Sequence, residues 1–260
     1  MTPRRLPGGL TLRAMVPNAI TAAALCAGLT GIRFAITGEF EKAVGAIILA
    51  GLLDGIDGRI ARLLKANSRF GAELDSLADN VSFGVAPALV LFMWSLQEVP
   101  RIGWFAALAF AVSMALRLAR FNARIDLPDE PRKLAGFLTG VPAPVGAGLA
   151  FLPMYLSFTF PQETVLREPW LVGAWLVVIA LLTISSLPTL SWGRMRPRRS
   201  LRMEVILLVG IIAGAAALTE PWWTLIGICA VYLTIIPIGI VQYARVRRRR
   251  AAPADEPAAP

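Results

Sequence analysis

The sequence predicts an all-α protein, a polytopic membrane bundle of about eight transmembrane helices. Hydrophobic residues make up 56% of the 260 residues, and the mean hydropathy is +0.63. A soluble domain of this length has too little polar surface to cover so many apolar side chains. The apolar residues form long runs of helical length, and arginines punctuate those runs. The net charge of +9 is therefore better explained by membrane orientation than by a nucleic-acid partner.

Eight apolar windows define the predicted helices. They lie at about residues 17–36, 42–64, 74–97, 102–122, 138–160, 170–189, 204–219 and 222–243. The fifth window contains Pro142, Pro144 and Pro153, so we expect a kinked or broken helix there. The windows together form one membrane domain over residues 1–250. The Ala-, Pro- and acid-rich segment 251–260 is expected to be a disordered tail.

Basic residues fall mainly on one side of this layout. With the N-terminus inside, the inside segments hold Arg4, Arg5, Arg13, Arg62, Lys65, Arg69, Arg117, Arg120, Arg124, Arg132, Lys133, Arg194, Arg196, Arg198, Arg199, Arg202, Arg245 and Arg247 to Arg250. The opposite loops hold only Lys42, Arg101 and Arg167, beside several glutamates. Because positive charge marks cytoplasmic loops, both termini are predicted to lie on the cytoplasmic side of the cell (inner) membrane. Six spans would need two apolar windows that do not cross, so eight is favoured.

Four aspartates interrupt the second and third predicted helices. Asp54 and Asp57 are three residues apart, and Asp75 and Asp79 are four apart, so each pair shares one helix face. A charged residue at the centre of a membrane helix costs roughly 2.5–3.5 kcal/mol on insertion scales. Two antiparallel helices joined by a short cytoplasmic turn near residues 65–69 would bring the four carboxylates together. A cluster this costly indicates a functional site.

The chemistry open to this cluster is narrow, because the chain has no histidine. Like charges this close cannot all ionise unless cations are present. Oxygen ligands without His or Cys favour Mg²⁺, Mn²⁺ or Ca²⁺. Cys26 and Cys229 lie in apolar stretches and are interpreted as packing residues rather than as a disulfide or a nucleophile.

Small and basic residues extend the two aspartate faces. Gly58 and Ala61 continue the first face, and Gly71 begins the second. They leave room for a ligand, although glycines also serve simple helix packing in membranes. Arg62 lies one helical turn from Gly58, where a guanidinium suits a phosphate or pyrophosphate. The alternative for Arg62 is a snorkelling, positive-inside role.

The complete pattern resembles a family signature. All eight positions of the signature of the CDP-alcohol phosphatidyltransferases are matched by Asp54-x2-Asp57-Gly58-x2-Ala61-Arg62-x8-Gly71-x3-Asp75-x3-Asp79. The resemblance implies a helical membrane fold, usually homodimeric, in which an alcohol displaces CMP from a CDP-linked lipid.

The same resemblance implies roles for the signature residues. Asp54, Asp57 and Asp75 would hold two divalent cations, Mg²⁺ or Mn²⁺, that bind the pyrophosphate, with Ca²⁺ as a non-productive occupant. Asp79 would complete the second metal site and act as the general base. The residues expected to line the CDP-lipid site are Gly58, Ala61, Arg62 and Gly71.

Three further segments bear on the alcohol acceptor. DSLADNVSFGVAPAL (Asp75 to Leu89), RLARFN (Arg117 to Asn122) and GVPAP (Gly140 to Pro144) resemble the membrane-embedded phosphatidylserine synthases of this family. That likeness covers much of residues 15–160. The segment SSLPTLS at 185–191 resembles the same enzymes more weakly. It implies that CDP-diacylglycerol and L-serine are the substrates.

Residues at the cytoplasmic end of the fourth helix are candidates for binding serine. Arg117, Arg120 and Asn122 could hold its carboxylate, with positive-inside anchoring of the helix as the alternative. Ser82 follows Asp79 by three residues and either faces the same cavity or bonds to the preceding helical turn.

Two other functions remain open at this point. Within the family, the acceptor could be glycerol 3-phosphate, inositol phosphate or choline, because counting arginines does not exclude a phosphorylated alcohol. A cation- or proton-coupled transporter also places acids in a membrane, but it predicts acids spread over several helices around a midplane path. Here they cluster in two helices near the cytoplasmic half.

Overall fold

The computed structural model consists mainly of α-helices, which confirms the predicted helical class. It describes residues 12–66, 68–123, 137–139, 141–185, 188–190, 214, 216 and 218–251. The chain divides into two compact units. One comprises residues 1–126 and 142–184, and the other comprises residues 127–141 and 185–260.

The first unit begins with an antiparallel pair of helices, α1 (Leu12–Ile36) and α2 (Phe40–Leu63). The turn between them places Gly38 at a φ of 77°, a left-handed conformation that suits glycine. The helices then pack closely: a Cβ on Gly31 would lie 2.8 Å from Cγ1 of Ile47 and 3.0 Å from the carbonyl oxygen of Ala43. Small residues permit this approach, as is usual between membrane helices.

A tight turn ends α2 and starts the next helix, α3 (Arg69–Asp79). Lys65 has a φ of 49°, and the Ala66 N–H donates to the Ala61 carbonyl at 2.9 Å, which is the bonding of a Schellman C-cap. Ser68 then caps α3 by accepting from the Gly71 N–H at 3.0 Å. The helix therefore begins at Arg69, five residues earlier than the apolar window that starts at 74.

The chain continues from α3 through a π-helical segment, Asn80–Val85, into α4 (Ala86–Trp94). Pro87 explains the wider turns, because a proline ring clashes with the carbonyl four residues earlier in a regular α-helix. The Ala86 N–H instead reaches the Val81 carbonyl. On the other side, a Cβ on Gly28 of α1 would lie 2.4 Å from the Ser82 hydroxyl, so α1 also packs on this segment.

Four helices complete the first unit: α5 (Pro100–Asn122), α6 (Ala143–Ala150), α7 (Leu152–Thr159) and α8 (Pro169–Ile184). The fifth predicted window is indeed broken, at Phe151 between α6 and α7. Pro153 cannot donate to the Leu149 carbonyl, and the Trp175 indole N–H of α8 donates to that carbonyl instead, at 2.9 Å.

The second unit contains the only two strands among the described residues. Strands β1 (Phe137–Thr139) and β2 (Pro188–Leu190) pair antiparallel, with Phe137 opposite Leu190. The first residues of the predicted window at 138–160 and the last residues of the window at 170–189 therefore form strands and not helices. The unit ends with α9 (Pro221–Ala251). Most of the predicted helix at 204–219 and the tail beyond Ala251 lie outside the described residues.

Three helical stretches of the described chain are long and apolar enough to cross a membrane: Met15–Ile36, Arg69–Trp94 and Pro100–Asn122. Helix α8 and the Pro221–Pro237 part of α9 are shorter apolar stretches. Helix α2 has 24 residues, but Asp54, Asp57, Arg59 and Arg62 make its second half polar. Cys26 is exposed and Cys229 is buried, and they form no disulfide.

Candidate metal and phosphate site

Helices α2 and α3 bring three of the four aspartates together. One carboxylate oxygen from each of Asp54, Asp57 and Asp75 lies within 4.8 Å of the other two. Oxygen ligands sit about 2.0–2.6 Å from Mg²⁺ or Ca²⁺, so two ligands of one ion are at most about 4–5 Å apart. This carboxylate trio is therefore close enough together to share one hard divalent cation.

Asp79 lies beside the trio but outside it. It is one helical turn beyond Asp75 on α3. Its carboxyl group is close enough to Asp54, Asp75 and Arg117 for the charges to interact. Asp79 is therefore the member of the cluster whose charge interacts both with the trio and with Arg117, near the C-terminal end of α5.

A cleft of about 230 Å³ opens between α1, α2 and α3. It is lined by Pro17, Asn18, Thr21, Asp57, Gly58, Ala61, Ala66, Ser68, Gly71, Ala72 and Asp75. Two carboxylates of the trio thus face a space walled mostly by small side chains. The small side chains leave room in the cleft for a ligand.

The predicted small residues have different surroundings in this cleft. A Cβ on Gly58 would meet no atom within 4 Å, so packing does not require glycine there. A Cβ on Gly71 would lie 2.8 Å from Oδ1 of Asn18 and 3.1 Å from Oγ of Ser68. Gly71 is therefore needed for close approach of α1 to α3, whereas Gly58 keeps the cleft open.

Arg62 is placed differently from the other signature residues. Its Nε donates to the Gly58 carbonyl, one turn earlier on α2, at 2.9 Å, and the side chain is exposed. It does not line the cleft in the described structure. A ligand phosphate would have to draw this flexible side chain inward.

The three candidate serine-binding residues point to different partners. Arg120 donates to the carbonyl of Ile184, at the end of α8, at 2.8 Å. Asn122 donates through Nδ2 to the Ser76 hydroxyl of α3 at 2.9 Å. Only Arg117 is associated with the carboxylate cluster, through Asp79. Ser82 is buried, and its hydroxyl lies 3.5 Å from the carbonyl oxygen of Ala24 in α1.

Sequence reasoning missed the contribution of α1. Asn18 and Thr21 line the cleft, and the Thr21 hydroxyl donates to Oδ2 of Asp57 at 2.5 Å. A usable signal was present, because these two polar residues lie three apart in a mostly apolar helix. Polar residues in a membrane helix usually face the bundle interior.

The fold and the site define an integral membrane protein with a cluster of carboxylates that could hold a divalent cation. Comparison with known sequences gives the family. The sequence profile of the CDP-alcohol phosphatidyltransferases matches residues 14–192, and that of CDP-alcohol phosphatidyltransferase 2 matches residues 200–237. The chain belongs to the CDP-alcohol phosphatidyltransferase family, whose members use divalent cations.

Several relatives carry one name. The CDP-diacylglycerol–serine O-phosphatidyltransferase of Mycobacterium leprae is 38% identical over 228 residues, which is 87% of this chain and 74% of the relative. The protein of that name from Helicobacter pylori J99 is 31% identical over 198 residues, covering 76% of this chain and 81% of the relative. The one from Bacillus subtilis is 38% identical over 145 residues, covering 56% and 76%.

Proposed function

We propose that this chain transfers the phosphatidyl group from CDP-diacylglycerol to L-serine, releasing CMP and forming phosphatidylserine. The observation that carries the proposal is the carboxylate trio, two members of which line a small-residue cleft, in a chain that belongs to a family of phosphatidyltransferases. Serine is favoured as the acceptor because relatives that align over most of this chain are named for it.

Two divalent cations, Mg²⁺ or Mn²⁺, are proposed at the aspartates, with Ca²⁺ as a non-productive occupant. Asp54, Asp57 and Asp75 would hold them, and Asp79 would complete the second position. Bound there, the cations would neutralise charge on the pyrophosphate and on the departing CMP.

Asp79 is proposed as the general base. The serine hydroxyl oxygen forms a bond to the phosphorus of the phosphatidyl group, and the bond from that phosphorus to the CMP oxygen breaks. The hydroxyl proton passes to the Asp79 carboxylate. Its place beside the trio supports this role, since the base must reach the hydroxyl of the alcohol that attacks the phosphorus.

Gly58, Ala61, Arg62 and Gly71 are proposed to bind the CDP-lipid, and Gly58 gives the clearest test. Gly58→Ala adds a methyl group that meets no protein atom within 4 Å and replaces a helix-weakening glycine, so we expect thermal stability equal to or slightly above that of the wild type. That methyl group would enter the cleft and crowd the ligand, which typically costs about 1–3 kcal/mol. The Kd for CDP-diacylglycerol should therefore rise roughly 5- to 150-fold.

Gly45→Ala is the matched control for that experiment. Gly45 also lies on α2 with open space where a Cβ would be, but it does not line the cleft. Its variant should bind the CDP-lipid as the wild type does. Equal, unchanged affinity in both variants would place the lipid's head group away from Gly58.

Arg117, Arg120 and Asn122 remain the proposed serine-binding set, with Arg117 as its main member because of its association with Asp79. Arg117→Ala should raise the KM for serine by about tenfold or more, the usual loss for a hydrogen bond to a charged group. The KM for CDP-diacylglycerol should change little. Equal increases in both constants would instead indicate a general disturbance of the site.

We propose eight spans, with the site and both termini on the cytoplasmic side of the inner membrane, and a homodimeric assembly. Labelling with impermeant thiol reagents tests the orientation, in a background without Cys26 and Cys229. Arg69→Cys, at the exposed start of α3 beside the site, should react only from the cytoplasmic side. Glu41→Cys, exposed at the other end of α2, should react only from outside. The reverse pattern would overturn the topology.

The acceptor is tested by a parallel assay of purified protein. CDP-diacylglycerol with Mn²⁺ or Mg²⁺ is offered serine, glycerol 3-phosphate, inositol phosphate or choline, and CMP release is measured. Serine should support the highest rate. A faster reaction with another alcohol would keep the family chemistry but reject serine as the acceptor.

A further inference from the structure

We propose that Thr21 is a positioning residue for Asp57, holding that carboxylate in the orientation that binds a divalent cation. This inference rests on the proposed metal-dependent function. Thr21 lies on α1, whereas all four aspartates lie on α2 and α3. This role of Thr21 would make α1 the third helix that contributes a functional side chain to the site.

Burial makes the contact between these two side chains consequential. Asp57 is only 4% exposed and Thr21 only 5% exposed. The Thr21 Oγ1 donates to Oδ2 of Asp57 at 2.5 Å, the short distance expected when the acceptor is a carboxylate. A buried carboxylate that loses such a donor loses the hydrogen bond that stabilises its charge, and its side chain becomes free to rotate.

The ordinary alternative is a threonine that simply bonds to its own helix. Thr21 Oγ1 also lies 3.1 Å from the Pro17 carbonyl, four residues earlier. A hydroxyl carries one proton, and the Asp57 acceptor is 0.6 Å nearer and charged. The proton therefore goes to Asp57, and the backbone contact is secondary.

The consequence for metal binding follows from the geometry of a carboxylate. Asp57 contributes one oxygen to the trio, and its two oxygens are fixed relative to each other. Fixing Oδ2 by a hydrogen bond fixes the direction of the other oxygen as well. Partners that orient metal ligands in this way typically account for 10- to 100-fold in metal affinity or activity.

The test is a titration of detergent-purified protein with Mn²⁺ alone, followed by the electron paramagnetic resonance signal of the free ion. Thr21→Val keeps the shape of the side chain and removes the donor, so the Mn²⁺ affinity should fall roughly 10- to 100-fold. Thr21→Ser restores a hydroxyl at the same atom and should recover most of the lost affinity.

Thr30→Val is the matched control. Thr30 lies on the same helix and its hydroxyl donates to the Cys26 carbonyl at 2.7 Å, so this variant loses a backbone contact without touching an aspartate. It should bind Mn²⁺ as the wild type does. If Thr21→Val does not fold, Thr21→Ala, which leaves space for water, is compared with Thr21→Ser in the same way.

The outcomes separate the two proposals. Wild-type affinity in a folded Thr21→Val or Thr21→Ala protein would overturn the positioning role and leave the proposed function intact. An equal loss in Thr21→Ser would overturn it too, because the hydroxyl would then not be the cause. A wild-type protein that binds no Mn²⁺ would reject the metal site itself, and the role of Thr21 with it.

Discussion

Asp54→Asn and Asp75→Asn should each abolish CMP release and remove the metal-dependent binding of the CDP-lipid. Both carboxylates belong to the trio whose oxygens lie within 4.8 Å of one another. An amide has one neutral oxygen in place of two charged ones, so it compensates a divalent cation poorly. Removing a partner that only orients a metal ligand typically lowers metal affinity or activity 10- to 100-fold. Replacing a ligand itself should therefore lower the rate of CMP release by at least about 100-fold.

Chelation of the cations should have the same effect on CMP release without a mutation. EDTA should stop CMP release, and added Mn²⁺ or Mg²⁺ should restore it. Glu73→Gln is the control for the aspartate variants, because it also removes one negative charge. Glu73 is an exposed acid of α3, two residues from Asp75 and outside the trio. Its activity should be near that of the wild type. Turnover that survives exhaustive chelation would contradict a metal-dependent reaction.

Asp79→Asn should separate chemistry from binding. The variant keeps the shape of the side chain but cannot accept the proton of the acceptor hydroxyl. We expect turnover to fall by about 10²–10⁴-fold, the usual contribution of a general base. The Kd for CDP-diacylglycerol should stay close to that of the wild type, because the trio is unchanged and the Asn side chain keeps one oxygen for the second cation position.

Comparison with Asp54→Asn decides the meaning of that result. If Asp79→Asn loses CDP-lipid affinity as severely as Asp54→Asn, then Asp79 serves chiefly as a metal ligand. The proton would then have to leave through another carboxylate or a water molecule. Binding is measured by retention of the labelled donor lipid in the absence of serine, so turnover does not affect it.

The centre of the site was predictable from residue spacing. The three-residue spacing of Asp54 and Asp57 places both on one face of α2, and the short turn after Leu63 brings α3 back beside that face. Because helical periodicity and turn length are local properties, the sequence alone was enough to predict that Asp54, Asp57 and Asp75 would meet.

The remaining features depend on contacts distant in the sequence. Thr21 meets Asp57 across 36 residues, and Arg120 meets Ile184 across 64, which no local pattern indicates. Prolines were a partial guide. Pro153 marked the break between α6 and α7. The hydrogen bond from the Trp175 indole to the Leu149 carbonyl, which Pro153 leaves without a helical donor, could not be predicted from the position of the proline.

The most direct measurement is a product analysis with isotope-labelled serine. Purified wild-type protein, CDP-diacylglycerol, Mn²⁺ and labelled L-serine are incubated together, and the lipid products and CMP are quantified by mass spectrometry. Serine phosphatidyl transfer predicts labelled phosphatidylserine and CMP in equal amounts, with both lost in Asp54→Asn. CMP formed together with phosphatidic acid, and no label in the lipid, would show that water rather than serine is the acceptor and would contradict the proposed function.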